Sequence, residues 1–106
     1  MPYIVTTSLY PSEIAPKVGA RYLEALAKFP PDESLTTQVV PAAVTTTHQG
    51  IKVTGVSDVK EGKLEEALRR VGDIMVMFQN IAGFEYTIEV NSKVEEAMSA
   101  IGMDMP

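Results

Sequence analysis

The side chains able to do acid–base chemistry are few and scattered. His48 is the only histidine, and an imidazole titrates close enough to neutrality to act as a general base. It stands beside Gln49-Gly50, a pair that reads as a hairpin turn, so its plainer reading is a polar turn residue. Glu85 and Glu89 are four residues apart in an alternating stretch, which places both carboxylates on one face of a strand, about 13 Å apart along it. That is wider than the ~5–9.5 Å of a glycosidase carboxylate pair. They become acid/base groups or metal ligands only if a neighbouring strand brings Lys52 or His48 close; otherwise they are a solvated strand face or interface ion pairs. Tyr10 ends a strand-like stretch that also holds Thr6 and Ser8, and its hydroxyl could line a pocket mouth. Tyr22 and Tyr86 fall on apolar stripes, where packing is their expected role. Arg21 could reach an anion, although an arginine on a helix surface is ordinarily solvated.

The motifs of well-known chemistries are missing. Gly19, Gly72 and Gly102 form no phosphate loop, and there is no Gly-x-Gly-x-x-Gly, no serine nucleophile elbow and no His-Glu-x-x-His. Without cysteine there is no disulfide framework and no thiolate metal site. The expectation is therefore no metal and no cofactor. Fourteen acidic against nine basic residues give a formal charge of −5, which argues against a phosphate-backbone partner and reads most simply as solubility. No segment approaches the ~20 consecutive apolar residues of a membrane span, and no basic region precedes an apolar run at the N-terminus. A cytoplasmic protein of one domain, residues 1–106, is expected.

These residues must be positioned by elements that the pattern makes visible. Residues 3–10, YIVTTSLY, are β-branched and aromatic between Pro2 and Pro11 and read as a strand. From Glu13 to Phe29 apolar residues at Ile14, Val18, Tyr22, Leu26 and Phe29 mark a helix, with Pro16 in its first turn and Pro30-Pro31 after it. Residues 36–48 form a Thr- and Val-rich strand whose Pro41 demands a sheet edge or a bulge. A turn leads into a strand at 51–58. Lys60 to Asn80 is the clearest helix, with a stripe of Leu64, Leu68, Val71, Met75 and Phe78, outer pairs Glu65–Arg69 and Glu66–Arg70, and Gly83 as its stop. Residues 84–90, FEYTIEV, alternate cleanly as a strand, and a short helix follows through Ala100.

The order β-α-β-β-α-β predicts an α+β protein of ferredoxin-like topology. Its four-stranded antiparallel sheet has the order 4-1-3-2, with both long helices on one face and an extra C-terminal helix. Alternation then assigns sides. Val5, Thr7 and Leu9 join Ile51, Val53, Gly55, Phe84, Tyr86, Ile88 and Val90 on the helix side. Thr6, Ser8 and Tyr10 join Lys52, Thr54, Val56, Glu85, Thr87 and Glu89 on the other, and Val40, Ala42, Val44, Thr46 and His48 fit that same face. A bare sheet face is a poor end state, so a second subunit is expected to cover it.

The β-α-β-β-α-β order, the opening YIVTTSLYP, and GIKVTGVSDVKEGKLEEAL running into GFEYTIEV resemble the dimeric α/β-barrel superfamily, in particular its small members without an assigned function. The resemblance covers nearly the whole chain, and its motifs are fold motifs. It implies two sheets packed face to face in a shared barrel, within which some members bind a small ligand or run cofactor-independent chemistry. Small monooxygenases, isomerases and stress-induced proteins all belong to it, so the fold selects no function. The resulting expectation is a non-enzymatic homodimer or higher homo-oligomer. Its small polar inter-sheet cavity, lined by Thr6, Ser8, Tyr10, Lys52, Thr54, Glu85, Thr87 and Glu89, would hold a small ligand. The alternative is a cofactor-independent monooxygenase or isomerase acting on a small apolar substrate, with His48, Tyr10 or Glu85 in acid/base roles.

Overall fold

Strand β1 spans Tyr3–Tyr10, and after Pro11 a 3-10 turn, Ser12–Ile14, leads into helix α1, Ala15–Lys28, with Pro16 in its first turn where a missing N–H matters least. Strands β2, Thr36–Thr47, and β3, Gly50–Val59, form a hairpin; helix α2 spans Leu64–Val76, strand β4 Glu85–Asn91 and helix α3 Val94–Ala100. The computed structural model describes residues 1–106. Its sheet has the order β2-β3-β1-β4, and every neighbouring pair is antiparallel. This is the expected 4-1-3-2 order read from the opposite edge.

Element ends differ from expectation where local hydrogen bonds decide. Helix α2 stops at Val76, and Met77 to Gln79 continue only through bonds to residues three back, such as Phe78 N–H to the Met75 carbonyl at 3.0 Å. The hairpin turn is His48-Gln49, one residue earlier than expected. Thr47 Oγ1 accepts from the Gln49 N–H at 3.1 Å and donates to the Gly50 carbonyl at 2.9 Å. Gly50 has φ of 131°, and a Cβ there would lie 2.3 Å from the Tyr10 carbonyl oxygen, so the crossing with β1 admits only glycine. Pro41 is accommodated as anticipated: β2 is an edge strand with register shifts between Gln38 and Val40 and between Val40 and Ala43. Of the two ion pairs expected on α2, Glu65–Arg69 forms at 3.8 Å. Glu66 pairs with Lys63 at 3.7 Å instead, and Arg70 turns away to donate to the Pro30 carbonyl.

Cross-strand partners project to the same side of a sheet, so the register assigns the faces. Tyr10 pairs with Ile51, Ser8 with Val53 and Tyr86, and Thr6 with Gly55 and Ile88. Helices α1 and α2 lie over this side, since Tyr10 packs with Val18, Ala25 and Phe78, and Ile4 with Val59 and Ala67. The expected sides of β3 and β4 hold, whereas β1 is reversed. Thr6, Ser8 and Tyr10 face the helices with Ile4, and Val5, Thr7 and Leu9 face outward. Strand β2 is corrected as well: Val44 and Thr46 pair with Val53 and Ile51 and therefore lie on the helix side, while Val40 opposite Val56 and Ala43 opposite Thr54 lie outside.

The core is divided. Tyr10, Val18, Ala25, Phe78 and Ile81 form one buried cluster, extended by the stacked rings of Tyr10, Phe84 and Phe78, with centroids 5.8 and 5.1 Å apart. Ile4, Leu35, Val59 and Ala67 form the other. Ile4, Val59 and Ile81 are the most fully enclosed, and burial of each contributes about 1.5–3 kcal/mol. Along β1 the two clusters are separated by Thr6 and Ser8. Only 11 of 106 residues are buried, because a single helical layer covers a single sheet and leaves its other face open.

Candidate functional site

Between the two core clusters the helices and the sheet do not close. A cleft of about 640 Å³ lies there, within the size range of small-molecule pockets. Thr6, Ser8, Gly55 and Ser57 of the two central strands form its floor; Tyr22 and Leu26 of α1, with Val71 and Ile74 of α2, form its roof, and Gln38 and Val44 of β2 stand on its lining. Its existence follows from residue size. Where the helix-facing centre of a sheet ordinarily carries branched aliphatic side chains, this chain has Thr6 and Ser8 on β1, with Gly55 of β3 opposite Thr6. A Cβ at Gly55 would come within 2.9 Å of Thr6 Oγ1 and 3.4 Å of the Pro41 carbonyl oxygen, so the glycine also lets the bulged β2 approach.

The polarity of the floor is unusual for a core position. Ser8 is 8% exposed, and Thr6, Ser8 and Ser57 take part in none of the chain's side-chain hydrogen bonds. Their hydroxyls face space large enough for water or a ligand atom to satisfy them. The mouth carries Asp32, Glu33 and Arg70. The Ser34 hydroxyl, 2.5 Å from Asp32 Oδ1, and then the Ser34 N–H hold the Asp32 carboxyl below its ordinary range. Arg70 is occupied: its guanidinium bonds the Pro30 carbonyl and lies 5.7 Å from the centre of the Phe29 ring. At the other end of the helix pair Arg21, expected to be a solvated helix arginine with an anion contact as the lesser reading, donates to the Met77 carbonyl and to Asn80 Oδ1 at 2.7 Å, tying α1 to the end of α2. Tyr22, expected in the core, is 42% exposed at the cleft rim. Tyr86 is half-buried, and its hydroxyl accepts from Gln79 Nε2 at 2.6 Å.

The outer face of the sheet is a second, separate surface. The register lines up Glu89–Val5–Val56, Thr87–Thr7–Thr54 and Glu85–Leu9–Lys52 as three rows across β4, β1 and β3. Lys52, Glu85, Thr87 and Glu89 are exposed, and none of the three charged ones has an ion-pair partner within the chain. At one end of this face Lys93 Nζ meets Asp58 Oδ2 at 2.8 Å and lies 5.2 Å from the Tyr3 ring centre, which fastens the start of α3 to the sheet. The hydrogen bond that Lys93 donates to Asp58 raises the Lys93 pKa above its ordinary 10.5. Asp58 Oδ1 is buried without a partner.

The set anticipated from the sequence is thus divided. Thr6, Ser8 and Tyr10 line the helix-side cleft; Lys52, Thr54, Glu85, Thr87 and Glu89 lie on the opposite side of the sheet. Tyr10 and Glu85 are on different faces, and His48 is exposed at the tip of the β2–β3 turn, so one chain does not assemble these three into a single acid–base centre. No group of three His, Cys, Asp or Glu side chains comes together. Sequence reasoning missed Ser57, Gln38 and Val44 as cleft residues. Continuing the side assignment of Ile51, Val53 and Gly55 by one step would have found Ser57.

No protein-family model matches the chain, and no curated protein matches it. Among solved structures, the solution structure of the C-terminal domain of the MgtC protein from Mycobacterium tuberculosis is similar, with a TM-score of 0.45 and 13% identity over 89% of this chain and 93% of that one. A likeness this distant carries no argument about function. No helix is long and apolar enough to cross a membrane.

Proposed function

We propose that this chain is a small-molecule-binding protein of ferredoxin-like, dimeric α/β-barrel type, which takes its ligand in the cleft between helices and sheet and pairs with a second copy through the outer sheet face. The observation that carries the first half is the pair of unpartnered hydroxyls, Thr6 and Ser8, set between two hydrophobic clusters over open space. A chain selected only for stability would fill that gap with aliphatic side chains. The ligand site therefore moves from the inter-sheet cavity expected from the sequence to the helix side. The outer face, with Val5, Leu9 and Val56 among its threonines and charges, is kept for the partner. A cytoplasmic location belongs to the same proposal.

The test is a filled cleft. Ser8→Leu should abolish saturable binding of a compound found by a thermal-shift screen while the free variant melts no lower than the parent. Undiminished binding to that variant would refute the cleft as the site. The enzymatic alternative, a cofactor-independent monooxygenase or isomerase, is supported by Tyr10 alone, because it is the only one of the acid/base candidates lining the cleft. Tyr10→Phe should remove turnover if that reading holds.

A further inference from the structure

Resting on the cleft as the ligand site, we infer that its ligand is an uncharged, largely apolar molecule that presents hydroxyl or carbonyl groups to the sheet, and that anions are rejected. The floor offers neutral partners only: Thr6, Ser8 and Ser57 can each donate and accept one hydrogen bond to a ligand atom. The walls are mostly hydrophobic, and the Tyr10–Phe84–Phe78 stack closes one end with ring surfaces. No lysine or histidine lines the cleft, and its one cation, Arg70, is at the mouth, already bonded to the Pro30 carbonyl and stacked on Phe29. Asp32 and Glu33 stand beside it, and Lys63 is within electrostatic reach of Asp32, so charges of both signs are confined to the entrance. An anion taken past that entrance would lose its water without gaining a counter-charge at the floor, which is the costly way to bury an ion. A cation would find the carboxylates only at the rim. A neutral molecule meets neither penalty and leaves the floor hydroxyls satisfied.

Two naphthalene dyes of similar size separate the cases by fluorescence titration: a neutral propionyl-dimethylaminonaphthalene, which carries a carbonyl, and anilinonaphthalene sulfonate, which is anionic. The neutral dye is expected to bind one per chain, at least about tenfold tighter than the sulfonate, and both to lose binding in Ser8→Leu. Gln38, on the lining yet exposed, gives a second variant that leaves packing alone: Gln38→Lys should bring the sulfonate to within a fewfold of the neutral dye by supplying the missing cation. Sulfonate binding equal to or tighter than the neutral dye in the parent, with both lost in Ser8→Leu, would overturn the neutrality inference and leave the cleft standing. Binding of both dyes unchanged in Ser8→Leu, or of neither to the parent, would overturn the cleft itself and the inference with it.

Discussion

At Thr6 and Ser8 two hydroxyls occupy positions where a sheet ordinarily presents valine or isoleucine to its helices. Because neither hydroxyl has a partner in the chain, replacing it with a methyl group removes a desolvation cost and adds apolar contact. Thr6→Val and Ser8→Val should each raise stability by about 1 kcal/mol, or roughly 4–8 °C in Tm by calorimetry. A drop in Tm would mean that the hydroxyls are satisfied in the free protein and that the gap is not held open for a ligand. Gly50 makes the opposite case. Gly50→Ala forces a Cβ against the Tyr10 carbonyl at a left-handed backbone angle and should cost about 2 kcal/mol or more in chemical unfolding. The side of Thr6 and Ser8 was not legible in the sequence. In YIVTTSLY apolar residues occur on both parities, Ile4 and Tyr10 on one and Val5 and Leu9 on the other, so alternation favours neither face; only pairing with Val53 and Tyr86 decides it. In FEYTIEV the two parities differ sharply, and its side was read correctly.

The elements themselves were legible because each carries its own period and stop signals: Pro11, Pro30-Pro31 and Gly83 bound what lies between them. The differences fall at ends and in β2, where no local pattern records how Gln38, Val40 and Ala43 shift against β3. Helix α3 shows how a short element depends on tertiary anchoring. Seven residues form no stable helix alone. Here the Glu96 carboxylate accepts from the Lys93 N–H at 2.9 Å, and Lys93 holds Asp58. The Met1 ammonium also meets Glu96 at 2.7 Å. Since the Lys93 pKa is raised in the folded state, the Lys93–Asp58 share of this anchoring is fully present below the ordinary value of 10.5 and is lost as pH rises through the higher folded value. Backbone carbon shifts of Val94–Ala100 should therefore stay helical at neutral pH and move toward coil above pH 10.5, ahead of the sheet, as the Lys93–Asp58 contact is lost. In Lys93→Met they should be coil-like throughout. Helical shifts in that variant would assign the anchoring to the apolar contacts of α3 instead.

For the whole molecule, an exposed sheet face sets the question of assembly. Three rows of paired side chains give the outer face an apolar and threonine-rich centre, with Glu85 and Glu89 toward one edge and Lys52 nearer the other. Turned about a two-fold axis, such a face can set Lys52 of one copy against the carboxylates of the other, which is the self-complementarity that an isologous dimer needs. Sedimentation equilibrium at micromolar concentration should give twice the 11.5 kDa of one chain. Thr7→Arg, at the centre of the face, should return a folded monomer without disturbing dye binding in the cleft. A wild-type monomer would remove the dimer from the proposal, and a Thr7→Arg protein that loses both assembly and dye would show that the two surfaces are coupled.

The separation of a ligand face from a partner face is tested most directly by methyl carbon–proton spectra recorded while the neutral dye is titrated in. Binding in the cleft moves the methyl signals of Thr6, Leu26, Val44 and Val71 and leaves those of Val5, Thr7 and Leu9 in place. Movement of the outer set instead, with the cleft methyls still, would contradict it and return the site to the opposite side of the sheet.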